Sequence, residues 1–145
     1  MCGGGSPAAC MITTHSLRIL NIPFSLVNYE KENELIAAEM SKADIVHLTL
    51  NAIRYLTQDN IPIAISLISR LVFTTECSKN FAQQFVQGGG LATVAKYKLL
   101  CEESSVNLIV DSLSLISQLA RISKDFYEPI HNANIYTDLK VLIGH

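Results

Sequence analysis

Ser66-Leu67-Ile68-Ser69-Arg70-Leu71 returns 48 residues later as Ser114-Leu115-Ile116-Ser117-Gln118-Leu119, identical at five of six positions. Past the match the likeness continues at an offset of 45. Phe81 and Phe85 correspond to Phe126 and Ile130, and Gln87-Gly88 to Asn132-Ala133. Both copies lie in long apolar stretches without strand alternation, so the repeated unit is helical. A helical unit of this length cannot bury its apolar face alone and stacks on the next copy to do so. Stacks of this kind present surface to partners, so the sequence points to interaction before chemistry.

Working outward from the first copy, Gln58-Asp59-Asn60 reads as a turn, with Asn60 placed to cap a helix from Ile61 to about Thr74. Pro62 falls in its first turn, where a missing N–H is tolerated. That helix is apolar nearly all round, from Ile63 to Phe73, which predicts burial between neighbours. Thr75 is placed to cap the segment 76–87, with Phe81, Phe85 and Val86 facing inward. Gly88-Gly89-Gly90 ends it in a sharp reversal, and a helix from Leu91 to about Cys101 follows. In the second copy Ser104 or Ser105 caps Val106–Ile122. Ser123 caps a shorter segment from Lys124 to about His131, bent at Pro129, and Asn132-Ala133-Asn134 takes the place of the triple glycine. A last helix spans Ile135–Ile143.

Upstream, Ser41 with Asp44 three residues later resembles a capping box for a helix from about Lys42 to Thr57. Its inner face is Ile45, Val46, Leu48, Ala52, Ile53 and Leu56. A short helix covers Glu34–Met40, and another is expected before Pro23, with a turn after it. Residues 1–12 read as a flexible Gly-rich lead and 13–145 as one helical repeat domain that is a piece of a longer stack.

Composition narrows the function. The chain has 145 residues, 49% hydrophobic and 17% charged, with a formal charge of −2. That is enough to build one core. The balance gives no electrostatic reason to expect nucleic acid, and the scattered Lys and Arg form no basic cluster for a membrane surface. The most apolar stretch, 61–73, is broken by Pro62, Ser66, Ser69 and Arg70 and falls short of the roughly 18–20 residues that span a bilayer. Cys2, Cys10, Cys77 and Cys101 form no close pair. They read as free thiols rather than a structural disulfide or zinc site, in a reducing, cytoplasmic compartment.

No residue pattern carries catalysis. The four histidines have no metal spacing, and no GxSxG elbow exposes a serine. Ser66, Ser69, Ser114 and Ser117 fall inside buried helices and read as packing positions, since they recur in both copies. The triple glycine follows a helix, not a strand, and so does not read as a phosphate loop. No cofactor and no metal is expected. What remains is surface. The third helix of each unit lines the groove of such a stack, which singles out His47, Asn51 and Arg54 on the first such helix and Thr93, Lys96 and Tyr97 on the second. Asn and Arg can bond a peptide's backbone or carboxylates, and Tyr offers a flat apolar contact.

With Gly89-Gly90-Leu91-Ala92-Thr93-Val94 at the start of a third helix, residues 42–145 resemble armadillo and HEAT repeat proteins. The resemblance implies an all-α, right-handed solenoid of two to three units, acting as a scaffold that holds a protein or peptide segment in its groove. Asn51 alone matches the groove asparagine of nuclear-import receptors, which argues against that role. Ile116-Ser117-Gln118-Leu119-Ala120-Arg121, then Phe126-Tyr127-Glu128-Pro129-Ile130, together with Phe85 to Leu91, are similar to the armadillo-like C-terminal region of Fused-type serine/threonine kinases. This implies a regulatory scaffold in ciliary or Hedgehog-type signalling, without kinase activity. Two other readings stand beside the adaptor. One is a structural fragment that self-associates through its open C-terminal end. The other is a small hydrolase, which would need a pocket joining a histidine to a serine or cysteine.

Overall fold

The computed structural model describes residues 7–25, 30–74, 77–101 and 104–144, and these form nine α-helices with no strand among them. In chain order they are α1 (Pro7–Ser25), α2 (Glu30–Lys42), α3 (Ile45–Ala52), α4 (Ile61–Thr74), α5 (Ser78–Gln87), α6 (Gly90–Lys96), α7 (Val106–Ile122), α8 (Tyr127–Asn132) and α9 (Tyr136–Ile143). The helices pack together on a shared core. α4 is at its centre, against α1, α3, α5 and α7.

The centre follows from composition. Ala64, Leu67, Ile68, Leu71 and Val72 of α4 are completely buried, which is what an apolar helix surrounded by others requires. The burial is not uniform: Phe73, expected inside, is 42% exposed. α7 packs along α4 and begins at Ser105, whose Oγ accepts the Leu108 N–H at 3.3 Å. Leu67, Ile68 and Leu71 have buried counterparts in Leu115, Ile116 and Leu119. The serines do not keep one role, since Ser69 is buried and Ser117 exposed.

The sequence α4–α5–α6 is repeated in kind by α7–α8–α9, a long helix followed by two short ones. The reversals correspond too. Gly89 (φ 80) and Asn134 (φ 57) are both left-handed, the conformation in which glycine is free and asparagine tolerable. At Gly90 the constraint is space: a Cβ there would land in the Phe85 ring, itself fully buried. Ser123 Oγ accepts the Asp125 N–H at 3.1 Å and opens a 3-10 turn, Lys124–Phe126, ahead of α8. Pro129 is the third residue of α8, where its nitrogen has no ladder bond to lose.

Several boundaries differ from expectation for local reasons. Residues 7–12 are helical, not an irregular lead, and Cys10 is buried on α1; residues 1–6 lie outside the described residues. α1 runs through Pro23, which sits near its end and donates no bond to the helix ladder. Cys10 is disulfide-bonded, contrary to the expectation of four free thiols, while Cys77 and Cys101 are half-buried thiols outside any disulfide. The helix expected over 42–57 is interrupted at Asp44, which is left-handed (φ 55) and makes no side-chain cap, so Ser41 and Asp44 form no capping box. The chain leaves α3 through a 3-10 turn, Ile53–Tyr55, and Leu48, expected inside, is 56% exposed. Asn60 does not cap α4; its Nδ2 donates to Thr57 Oγ1 at 3.0 Å within a second 3-10 turn. The cap at Thr75 lies outside the described residues.

α6 stops at Lys96 because Lys98 turns left-handed (φ 53). The Leu99 N–H reaches back to the Val94 carbonyl at 3.0 Å and the Lys98 N–H to Ala95 at 3.3 Å, a Schellman-type ending with lysine where glycine is usual. The turn directs Leu99 and Leu100 into the core, and Ser104 Oγ donates to the Lys98 carbonyl at 3.0 Å to close it.

Candidate functional site

A cavity of about 570 Å³ opens between the start of α4, the end of α6 and the start of α7. Its wall is mixed. Gln58, Asp59 and Pro62 come from the entry to α4, Lys96, Tyr97 and Lys98 from the end of α6, and Cys101, Ser104, Ser105 and Leu108 from the approach to α7. The left-handed turn at Lys98 builds this site, since it ends α6 and places Lys96, Tyr97 and Lys98 on one rim. Lys96 Nζ lies 5.5 Å from the centre of the Tyr97 ring, an ammonium over an aromatic face. Tyr97 is half-buried and Lys96 exposed. The site therefore offers an apolar ring, two ammonium groups, the Asp59 carboxylate and the Gln58 amide. Ser104 already donates to the Lys98 carbonyl and Ser105 already accepts from Leu108.

The six residues singled out from the sequence divide. Lys96 and Tyr97 line this cavity; His47, Asn51, Arg54 and Thr93 do not. His47, Asn51 and Arg54 are exposed on α3 and the 3-10 turn after it, as their stripe implied. His47 Nδ1 sits 3.4 Å from Asp44 Oδ2, and the Arg54 guanidinium 4.9 Å from the Tyr55 ring centre. Thr93 is half-buried and donates its hydroxyl to the Gly89 carbonyl at 2.9 Å, which occupies the group a partner would use. Gln58 falls in the sequence on the same polar stripe as His47, Asn51 and Arg54, whereas Asp59 and Lys98 were not legible as site residues, because they are placed by a 3-10 turn and a left-handed lysine that leave no periodic signal.

Two further cavities flank the first. One of about 620 Å³ runs between α6 and α8, lined by Ala92, Ala95 and Lys96 on one side and Pro129, Asn132 and Ala133 on the other. Lys96 stands on the ridge between it and the first. The other, about 370 Å³, lies between α1, α4 and α7 and shares Pro62 with the first. Among the described residues none of the three walls contains a histidine, so none joins a described histidine to a serine or cysteine. Among the described residues no three His, Cys, Asp or Glu side chains cluster to hold a metal ion, and no helix is long and apolar enough to cross a membrane.

No protein family, curated protein or solved structure matches the chain.

Proposed function

We propose that the chain is a non-catalytic interaction module, an armadillo/HEAT-like solenoid segment that holds an extended stretch of a partner protein at the end of α6. The observation that carries this reading is the Lys96–Tyr97 rim of the α4–α6–α7 cavity: an aromatic face beside ammonium, carboxylate and amide groups suits a peptide, with its alternating polar backbone and side chains. The repeated long-short-short order and the matched left-handed reversals at Gly89 and Asn134 support the solenoid. By its resemblance to Fused-type kinases, the module serves as a cytoplasmic scaffold in ciliary signalling.

The test is a display selection of random peptides on the full chain. Peptides recovered on the wild type are expected to lose binding to Lys96→Glu/Tyr97→Ala and to keep it with Arg54→Glu. Equal binding to the wild type and the double variant would remove the site from Lys96 and Tyr97.

A second reading, self-association, is favoured by one observation. α9 has no fully buried residue and leaves Tyr136, Val141 and Ile143 at 46%, 45% and 84% exposure. Sedimentation velocity across a concentration series tests it: a constant monomer mass would exclude it.

A further inference from the structure

α4 and α7 are equivalent helices with unequal cover. At the offset of 48, Pro62, Ile65, Ser69 and Val72 of α4 correspond to Val110, Leu113, Ser117 and Ala120 of α7. The spacing puts each set on one stripe of its helix. On α4 the stripe is covered: Ile65, Ser69 and Val72 are buried and Pro62 is half-buried. Pro62 marks the covering element, since it shares one cavity wall with Ser105 and Leu108 and another with Asn107 and Asp111, all at the start of α7. On α7 the same stripe is open. Val110 and Ser117 are exposed, Leu113 and Ala120 are half-buried, and Val106, one turn earlier, is 74% exposed. The α4–α7 interface thus continues, by one repeat step, onto the outer face of α7. What fits there is another helix with an apolar stripe.

The chain itself carries such a helix. α1 buries Cys10, Thr14 and Leu17 on one face and exposes Ile12, Ser16, Ile19 and Ile22 on the opposite one. Single exposed apolar side chains are ordinary on a protein surface, but these align at helical spacing into a stripe. Neither stripe contains Asp, Glu, Lys or Arg, so pairing them buries no charge within it. α1 and α7 both pack on α4 and are not main contacts of each other, so one chain presents both outer faces at once.

We propose that α1 of a second copy of this chain docks on the outer face of α7, a head-to-tail contact between two different surfaces. A pair formed in this way keeps one free α1 face and one free α7 face. It therefore grows by further copies unless the rotation closes a ring. One helix against one helix is a small interface, so the assembly is weak and concentration-dependent. The proposal rests on the self-association reading and puts it on α1 and α7 rather than α9. It does not depend on the Lys96–Tyr97 cavity.

Sedimentation velocity of the full chain across a concentration series reads the mass. The wild type is expected to rise from monomer through dimer to larger species. Val110→Glu and Ile19→Glu each put a charge into the contact from an exposed position, and each should hold the chain at monomer mass. The deciding sample is their equimolar mixture. One variant keeps its α1 face and the other its α7 face, so the mixture should regain a dimer and nothing larger. Ile143→Glu on α9 should associate as the wild type does. Val106→Glu and Ile12→Glu, at positions 74% and 67% exposed, take over if circular dichroism shows either first variant unfolded. A wild type monomeric at every concentration would overturn the proposal together with the self-association reading. Association lost with Ile143→Glu but kept with Val110→Glu would overturn the proposal and leave self-association on α9. Association kept with Ile19→Glu, or a mixture that stays monomeric, would overturn it by removing α1 as the occupant.

Discussion

Gly89 and Asn134 hold the same left-handed backbone, φ 80 and φ 57, at equivalent reversals 45 residues apart. A Cβ at Gly89 would meet nothing within 4 Å, so substitution there costs only the conformational penalty. Gly89→Ala should therefore destabilise by about 1–2 kcal/mol, and Gly89→Asn by less, since asparagine already serves at position 134. Urea unfolding midpoints of the two variants check the order. Equal losses would mean that the reversals are not equivalent.

That pair also shows how far the sequence could be read. The α4 boundaries, the Ser105 and Ser123 caps and the two reversals were legible because each rests on local chemistry: an apolar run with a proline in its first turn, a serine cap, a residue that tolerates positive φ. The break at Asp44 was not legible. Ser41 and Asp44 have capping-box spacing, yet Asp44 turns left-handed and the next helix starts one residue later. Of the candidate site, Lys96 and Tyr97 followed from helix phase. Asp59 and Lys98 did not, because a 3-10 turn and a left-handed backbone place them, and periodicity describes one helix at a time.

Ser112 is completely buried and, among the described residues, its Oγ has no hydrogen-bond partner. Its counterpart at the 48-residue offset is Ala64, also completely buried. A buried hydroxyl without a partner costs more than the small packing it supplies. Ser112→Ala should raise stability by about 1 kcal/mol, read as an increased urea midpoint at unchanged slope. A lower midpoint would show that the hydroxyl is satisfied in solution.

Asp111 gives stability a pH dependence of known sign. Burial raises its proton affinity in the folded chain, and Arg70 only partly opposes this. The folded state thus holds the Asp111 proton more tightly than the unfolded one, and its contribution to stability is lost as pH rises through the folded value. Asp111→Asn removes the ionised, desolvated form. The variant should be more stable than the wild type at pH 7, with the difference shrinking toward about pH 3, where the carboxyl is protonated in both states. Thermal melts at the two pH values check this. A variant less stable at pH 7 would show that the attraction to Arg70 outweighs the burial.

Leu67 and Leu115 are equivalent in sequence and equally buried, at 0% exposure, but their helices are not equally surrounded. α4 packs against α1, α3, α5 and α7, whereas the main helix contacts of α7 are with α4 and α5. Truncation to alanine leaves a cavity whose cost depends on how far the neighbours can collapse into it. Helices on several sides resist collapse. α7 leaves Val110 exposed on its outer face and has freedom to shift. Both variants should lose about 2–5 kcal/mol, with Leu67→Ala nearer the upper end and Leu115→Ala nearer the lower. Unfolding free energies measured in one buffer decide the order. A larger loss at Leu115 would place the centre of the core on α7 rather than α4.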